Sequence, residues 1–303
     1  MSAIATRPRL GFLGVGWIGR NRLEAIERAG VAEIAGVSDP ALPESQDLGE
    51  LDLDGIVIAT PSALHAEQAI AAFERGLAVF CQKPLARTAD EARRVVAAAR
   101  SADRLLAVDL SYRHVRAFQA AREVVRSGDL GEIVAAELVF HNAYGPDKAW
   151  FRDPSLAGGG CLIDLGIHLV DLALWTLGDL AVDDVRLAGA PVEDYASARL
   201  GPVAIACSWN LHAGADAVIA ARFHGRDGGA EVTNVGGSFY DFRCDRLRGT
   251  RREPLVDARD DWMGRAAVVW AERLARGDRF DAASAAEIVR VHEILDDLYR
   301  RAR

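Results

Sequence analysis

The sequence predicts an α/β domain followed by an α+β domain. In the first third of the 303 residues, short apolar runs alternate with helical patterns, which is typical of a doubly wound parallel sheet. The pattern changes after about Tyr112. From there Asp183–Phe242 consists of candidate strands separated only by turns, which favours a mostly antiparallel open sheet. We therefore predict a first domain over residues 1–112 and a second over 113–303, with a closing helix able to pack back on the first domain.

The elements of the first domain follow from local signals. A capping box at Thr88 and Glu91 predicts the start of a helix that ends near Ala102. Helical spacing of apolar residues predicts helices at Trp17–Ala29 and Ala63–Arg75. Short apolar runs predict the strands, which are Arg9–Leu13, Ala32–Ser38, Gly55–Ala59, Ala78–Cys81 and Leu105–Asp109.

The second domain is predicted to combine helices with a run of strands. Helices are expected at Val115–Ser127, at about Asp260–Arg276 and at Ala282–Arg301, and the charged stretch Arg243–Arg259 is predicted to be a surface loop. Strands are predicted at Glu132–Phe140, Val182–Ala188, Asp194–Leu200, Val203–Leu211, Ala217–Phe223, Ala230–Asn234 and Ser238–Phe242.

Composition excludes several classes of protein. The net charge of −8 and the pI near 5.4 argue against nucleic acid or an anionic membrane as the main partner. The four cysteines form no C-x-x-C pair, which predicts reduced thiols without a disulfide framework or a zinc site. The histidines and acids show no ligand spacing such as H-E-x-x-H, so no metal is expected. Without a signal-like N-terminus or an apolar run of ~18 residues, we expect a soluble cytoplasmic protein.

A glycine fingerprint predicts a dinucleotide site. Gly14-x-Gly16-x-x-Gly19 follows the first strand and opens the first helix, where backbone N–H groups can bind a pyrophosphate. Asp39 ends the second strand, where a carboxylate accepts hydrogen bonds from the adenosine ribose and repels a 2′-phosphate, so NAD is favoured over NADP. The alternative for Asp39 is a turn cap ahead of Pro40. The short connection from Asp39 to Gly55 leaves little room for a crossover helix, so the adenine side is expected to be open or irregular.

The chemical side of the site is predicted from a second glycine loop. Gly158–Cys161 runs into a helix that is apolar nearly all round and is therefore expected to be buried. Asp164, His168 and Asp171 lie on one face of that helix, which indicates a proton-transfer site because buried ionisable groups are costly unless paired or used. For Asp171, helix packing or a salt bridge is an equal alternative.

Lys83 follows the fourth strand, at the sheet edge where ligands bind, and can stabilise a developing alkoxide. The alternative for this side chain is an ordinary solvated lysine. The adjacent Pro84 is compatible with a cis peptide bond.

The polar loop before Gly158 is predicted to contact a hydroxyl-rich substrate, because it mixes donors, acceptors and aromatic faces. Its candidates are His141, Asn142, Tyr144, Lys148, Trp150 and Arg152. Secondary candidates are Arg113, Trp209, Asn210 and His212, with Trp209 expected to be a core residue of the sheet.

These motifs together resemble the glucose–fructose oxidoreductase/inositol dehydrogenase (Gfo/Idh/MocA) family. The resemblance rests on Gly14–Gly19, Thr60–His65, Lys83-Pro84 and Gly158–His168 in this order, on Arg113 and Ser127–Ile133, and on the closing helix Ala283–Tyr299. It implies a nicotinamide-dependent oxidoreductase acting on sugars, polyols or nucleotide-linked sugars. It also implies that Lys83, Asp164 and His168 form the catalytic group. The residues expected at the cofactor are Gly14, Gly16, Trp17, Ile18, Gly19, Asp39, Thr60, Pro61, His65, Gln82 and Lys83.

The sequence departs from the family at Gln82, where the family usually has glutamate, and in the short Asp39–Gly55 connection. Two alternatives to an NAD-dependent sugar or polyol dehydrogenase therefore remain open. One is an NADP-dependent ketoreductase of a nucleotide-linked sugar, and the other is a catalytically silent NAD-binding sensor. Partly by family analogy, we expect a homo-oligomer, a dimer or tetramer, formed through the sheet of the second domain.

Overall fold

The computed structural model describes residues 7–257 and 259–302, which form two compact units. Unit 1 contains the chain up to Ser111 together with Met263–His292, and unit 2 contains Tyr112–Trp262 and the residues from Glu293 onwards. The sequence-based division placed residues 113–303 in the second domain and allowed the closing helix to pack back on the first. In the structure Met263–His292 belong to unit 1, where Trp270 is fully buried in the core with its ring 5.7 Å from that of Phe80.

Unit 1 is a parallel five-stranded sheet in the order β2-β1-β3-β4-β5, as the sequence predicts. Apolar strand residues such as Leu10, Phe12 and Ile58 are completely buried between helices on its two faces. Its strands are β1 (Arg9–Leu13), β2 (Glu33–Ser38), β3 (Gly55–Ile58), β4 (Ala78–Cys81) and β5 (Leu106–Val108), and its helices are α1 (Trp17–Ala29), α2 (Ser62–Glu74) and α3 (Ala89–Ala102).

The strand order places a switch point between β1 and β3, and ligands of such sheets bind at the carboxyl ends of the strands there. The connection from Asp39 to Asp54 forms turns and bends and has no crossover helix, which confirms the expectation from its length. Gln46 fixes this connection to the free edge of β2, because its side chain and backbone both hydrogen-bond the backbone of Val37.

Unit 2 is built on an eight-stranded sheet in the order β13-β12-β11-β10-β6-β9-β8-β7, in which only β6 and β9 pair in parallel. The mostly antiparallel prediction is therefore confirmed. The strands are β6 (Ile133–Asn142), β7 (Val182–Ala188), β8 (Tyr195–Leu200), β9 (Val203–Ser208), β10 (Ala217–Gly225), β11 (Gly229–Asn234), β12 (Phe242–Arg248) and β13 (Arg251–Val256).

The helices of unit 2 are α4 (Arg116–Arg126), the single turn α5 (Pro154–Ala157) and α6 (Ile167–Leu177). Two more helices close the chain, namely α7 (Arg265–Ala275) in unit 1 and α8 (Ala282–Arg301), whose residues are shared between the units. The expectation that no apolar run reaches the length of a membrane span is wrong, because the stretch Pro154–Leu177 is long and apolar enough to cross a membrane, with a mean hydropathy of 1.5. Because 78% of that window is buried in the protein, it is typical of a core helix.

The predicted surface loop over Arg243–Arg259 is wrong, because most of it forms β12 and β13. Arg252 of β13 lies 2.9 Å from Asp245 of β12 and 2.5 Å from Glu231 of β11, so this arginine has two carboxylate partners across the sheet. The predicted strand Ser238–Phe242 is also displaced, since pairing begins at Phe242.

Candidate functional site

The glycine fingerprint forms a tight turn that opens α1. Gly14 adopts a φ of +83°, and a Cβ atom there would lie 2.7 Å from the carbonyl oxygen of Ala59. A Cβ atom at Gly19 would lie 2.2 Å from the carbonyl oxygen of Gly14, which is too close for any side chain. Gly16 precedes the helix and supplies no side-chain cap, so the first N–H groups of α1 are not bonded by a capping side chain. This backbone cradle suits a pyrophosphate.

Asp39 is tied to the same turn. Its Oδ2 accepts the N–H of Val15 over 2.8 Å, and its Oδ1 accepts the N–H of Ala41 over 2.9 Å. The turn-cap role considered for Asp39 is therefore present. Each carboxylate oxygen has two lone pairs, so the same group retains acceptor capacity for ribose hydroxyls. A cavity of about 580 Å³ lies between α1 and β2 and includes Val15 in its lining.

His65 joins the segments that follow β3 and β4. Its ring nitrogens lie 2.7 Å from the carbonyl oxygens of Thr60 and Pro84, and the side chain is only 1% exposed. Burial lowers the pKa of His65, and the charge of Lys83 lowers it further. The hydrogen bonds to the two carbonyls act in the opposite direction, because they favour the protonated ring. Pro61 precedes α2 directly. Thr60, Pro61 and His65, which are expected at the cofactor, are thus held together at the carboxyl edge of the sheet.

Gln82 lies in a buried polar network that sequence reasoning missed. Its amide Nε2 donates to Oδ2 of Asp109, and Arg22 donates to the same oxygen over 2.6 Å. Ser111 donates to Oδ1 of Asp109 over 2.6 Å. The sequence does contain one indication of this network. Asp109 ends the fifth predicted strand, so it is expected at the same carboxyl edge of the sheet as Lys83.

In unit 2, a buried carboxylate holds the second glycine loop. Oε1 of Glu193 accepts the N–H groups of Gly160 and Leu162 over 2.9 and 3.0 Å, and the hydroxyl of Tyr299 over 2.7 Å. A Cβ atom at Gly160 would collide with the backbone of Glu193, which explains the glycine at this position. The loop is thus fixed at the start of the apolar helix.

The apolar helix does not begin as a regular α-helix. Leu162–Gly166 form a π-helical turn, and α6 follows from Ile167. The prediction of a single α-helix is corrected here, because a π turn bonds each N–H five residues back and changes the angular spacing of its side chains. Asp164 lies within this turn, where its Oδ2 accepts the indole N–H of Trp209 over 3.1 Å.

His168 lies on α6 among aromatic rings and is 8% exposed. The rings of Tyr112 and His168 pack edge to face with their centroids 4.9 Å apart, and the centroid of the Phe140 ring lies 6.4 Å from that of the imidazole. Burial raises the pKa of Tyr112, and the charges of Tyr240 and Asp164 raise it further, so this phenol stays neutral. Tyr112 was not predicted as a site residue, although it directly precedes the family-like Arg113.

Asp171 and Arg113 form an ion pair inside unit 2. Nε of Arg113 lies 3.0 and 3.1 Å from the two carboxylate oxygens, and its Nη2 lies 2.5 Å from Oδ1. Asp171 is 1% exposed, so it depends on this cation. The salt-bridge alternative for Asp171 is therefore observed, and it engages the guanidinium that had been predicted to meet substrate.

The structure separates the predicted substrate residues. Arg152 lies over the ring of Trp209 at 5.9 Å and so joins the neighbourhood of Asp164. His141 bonds Ser208 over 2.9 Å, and it lies on the opposite sheet face from its neighbour Phe140, which contacts His168. Tyr144, Lys148 and Trp150 lie in the connecting loop, where Tyr144 donates to Asp216 over 2.5 Å, Trp150 stacks on Phe151 at 3.9 Å and Lys148 is exposed. Asn142 ends β6, and Asn210 and His212 follow β9.

No cluster of three or more His, Cys, Asp or Glu side chains suited to a metal occurs among residues 7–257 and 259–302. The four cysteines are free and buried, and the Sγ atoms of Cys161 and Cys207 are 3.9 Å apart.

Comparisons with known proteins agree with this architecture. The family model described as "Oxidoreductase family, NAD-binding Rossmann fold" matches residues 8–110, and the "GFO/IDH/MocA C-terminal domain" matches residues 118–231. Among solved structures, GenD2 from gentamicin A biosynthesis in complex with NAD has a TM-score of 0.82 at 23% identity, over 99% of this chain and 95% of that one. KijD10, a 3-ketoreductase from Actinomadura kijaniata with NADP and TDP-benzene, has a TM-score of 0.87 at 20% identity, over 98% of both chains. At these identities the likeness establishes the fold.

Relatives at higher identity are matched over part of their length. The 1,5-anhydro-D-fructose reductase of Ensifer adhaerens is 35% identical over 46% of this chain and 42% of its own length. The D-glucoside 3-dehydrogenase of Escherichia coli is 37% identical over 44% and 38%, so the match spans about two fifths of either relative. The rhizopine catabolism protein MocA of Rhizobium meliloti is 30% identical over 64% of this chain and 67% of its own. The chain therefore belongs to the Gfo/Idh/MocA family of oxidoreductases.

Proposed function

We propose that this protein is an oxidoreductase that transfers a hydride between NAD(H) and a hydroxyl or keto carbon of a sugar or polyol. The observation that carries the proposal is His168, an imidazole buried on the apolar helix that follows the π turn with Asp164, in a chain that also has a backbone cradle suited to a pyrophosphate. Family membership supports the same reaction class.

The residues of the glycine turn would hold the cofactor. Gly16, Trp17, Ile18 and Gly19 would present backbone N–H groups to its pyrophosphate, and Asp39 would accept hydrogen bonds from the ribose. Gly14 would allow the tight turn, because its own N–H donates to the carbonyl of Ser38. NAD(H), when bound, supplies or accepts the hydride. The carboxylate of Asp39 favours NAD, because it would repel the 2′-phosphate of NADP.

The acid–base work is assigned to His168, Asp164 and Lys83. In the oxidative direction, Nδ1 or Nε2 of His168 would take the proton of the substrate hydroxyl, and in reduction it would return that proton. Asp164, whose position is fixed by the indole of Trp209, would orient the imidazole or a neighbouring hydroxyl. Lys83 would stabilise negative charge on the reacting oxygen.

The substrate class follows from relatives rather than from the geometry of the loop. Relatives are named 1,5-anhydro-D-fructose reductase, D-glucoside 3-dehydrogenase and levoglucosan dehydrogenase, and a levoglucosan dehydrogenase structure of the same fold contains levoglucosan. The alternative is a ketoreductase of a nucleotide-linked sugar. Two comparisons favour this alternative, namely the fold shared with KijD10 and the 33% identity to a putative UDP-kanosamine synthase oxidoreductase subunit.

The test is a panel of sugars, polyols and nucleotide-linked sugars assayed with NAD and with NADP. We expect turnover with a polyhydroxylated substrate and a preference for NAD. Preference for NADP with a nucleotide-linked sugar would favour the ketoreductase. Tight NADH binding without turnover on any member would instead favour a silent sensor.

We also infer a homo-oligomer formed through the open face of the unit 2 sheet. A cavity of about 330 Å³ on this face is lined by small and apolar side chains, including Val139, Ala204 and Ala206, together with the charged Glu137, Asp184 and Arg199. Sedimentation at micromolar concentration is expected to give a dimer or tetramer, and a monomer would contradict the inference.

A further inference from the structure

Gln82 occupies the position where the family usually has a glutamate, and a carboxylate lies beside it. Its amide Nε2 donates to Oδ2 of Asp109, and the two residues are 8% and 1% exposed. They directly follow the paired parallel strands β4 and β5, so both lie at the carboxyl edge of the sheet. The negative charge at this edge is therefore present, but one strand away from position 82.

Arg22 of α1 balances the charge of Asp109. Its Nε donates to the same Oδ2 over 2.6 Å, and the two side chains are 3% and 0% exposed. Ser111 donates to Oδ1 and lies 3.3 Å from Nη2 of Arg22. An isolated buried carboxylate is costly, so Asp109 needs this guanidinium and these donors. The network connects the cofactor helix α1 with the residue that precedes Lys83.

A glutamate at position 82 would place a second carboxylate against Asp109. Two carboxylates that share one buried site repel each other, and one of them must take up a proton. The amide avoids this conflict, because it donates an N–H to Asp109 and carries no charge. The buried network therefore contains one negative charge on Asp109, one cation on Arg22 and the neutral amide of Gln82.

We propose that Asp109 is a positioning residue that carries, paired with Arg22, the negative charge that the family usually has at position 82. In this role it holds Gln82, and with it the adjacent Lys83, at the carboxyl edge of the sheet. The consequence for catalysis rests on the proposed function of Lys83, whereas the relocation of the charge does not.

The test compares the single variants Gln82→Glu and Asp109→Asn with the double variant, in which the carboxylate and the amide exchange positions. Each single change disturbs a buried ion pair and should lower Tm by at least about 5 °C. Because Gln82 and Arg22 donate to one oxygen, a carboxylate introduced at position 82 lies within reach of the guanidinium. The double variant should therefore recover most of the loss. Asp103→Asn is the control, since its pair with Arg279 is 58% and 63% exposed and should shift Tm by about 1 °C or less.

Two further readouts separate positioning from stability. Hydrogen exchange of the peptide that contains Gln82–Arg87 should accelerate in each single variant and slow again in the double variant, whatever the substrate. With an active substrate, Asp109→Asn should lower kcat by roughly tenfold with KM for NAD nearly unchanged, and the double variant should restore kcat.

Losses that simply add in the double variant would overturn the proposal, as would a Gln82→Glu variant as stable as the wild type. If a single variant does not fold, folding of the double variant supports the proposal and its failure contradicts it. Recovery of Tm without recovery of the exchange rate would refute the positioning role. Absence of turnover in the wild type would contradict the proposed function alone, because the Tm and exchange measurements need no substrate.

Discussion

Glu193 is predicted to be the main support of the π turn that contains Asp164. Its Oε1 accepts two backbone N–H groups, from Gly160 and Leu162, and the hydroxyl of Tyr299, while the residue is 7% exposed. Replacing it with alanine removes all three bonds and leaves both N–H groups buried without this acceptor. The change therefore acts on the loop that positions the proposed acid–base residues.

The magnitude follows from the number and type of these bonds. A hydrogen bond to a charged group contributes about 1.5–3 kcal/mol, and such contributions are not additive, so Glu193→Ala should lower the free energy of unfolding by about 3–5 kcal/mol. Glu193→Gln keeps an acceptor oxygen and loses the charge, and we expect about 1–2 kcal/mol. Tyr299→Phe removes the hydroxyl that also accepts from the N–H of Ile163, which should cost about 1–2 kcal/mol.

Urea unfolding followed by tryptophan fluorescence suits this measurement, because four of the six tryptophans, Trp150, Trp175, Trp209 and Trp262, belong to unit 2. The matched control is Glu132→Ala, since the pair of Glu132 with Arg226 is 69% and 67% exposed and should contribute below about 1 kcal/mol. A Glu193→Ala variant no less stable than this control would refute the reasoning.

Three other changes test separate parts of the account. Backbone and side-chain bonds from Ser284 lower the pKa of Asp281, so its stabilisation is present above the ordinary carboxyl pKa, near pH ~4, and is lost as pH falls through the lowered pKa. The difference in stability between the wild type and Asp281→Asn should accordingly be about 1 kcal/mol at neutral pH and vanish in strong acid, as measured by urea unfolding at several pH values. Asp39→Ser should raise KM for NAD and reduce the preference over NADP by roughly tenfold or more, and unchanged preference in steady-state assays would remove Asp39 from the ribose site. Trp209→Phe keeps the ring but loses the N–H donated to Asp164, so kcat should fall by roughly tenfold with an unaltered Kd for NADH, whereas a weaker Kd alone would contradict that role.

Local patterns predicted most of the fold because they record which faces are buried. Alternating apolar runs and helices gave the parallel sheet, and the length of the Asp39–Gly55 connection correctly excluded a crossover helix. The ribbon of β12 and β13 was missed because its arginines resemble a solvated loop until their partners are known. Glu231 and Asp245, which neutralise Arg252, lie on neighbouring strands, and strand pairing is not visible in a single sequence.

The local geometry around the candidate site residues was predicted from short motifs, and the contacts between residues distant in the sequence were not. The glycine turn and the apolar helix with His168 follow from short motifs. The pairing of Arg22 with Asp109 joins residues 87 positions apart, and that of Arg113 with Asp171 joins residues 58 apart. The π turn was missed as well, because periodicity in the sequence does not distinguish bonding five residues back from bonding four residues back.

The most direct test of the central claim is turnover of His168→Ala and Lys83→Ala with the best substrate of the panel, alongside their affinity for NADH. Nicotinamide absorbance gives the turnover, and fluorescence of the bound cofactor gives the Kd. We predict that each variant loses at least about 100-fold in kcat, and that the Kd for NADH of His168→Ala stays within about threefold of the wild type. Variants that keep full turnover together with tight NADH binding would contradict the account.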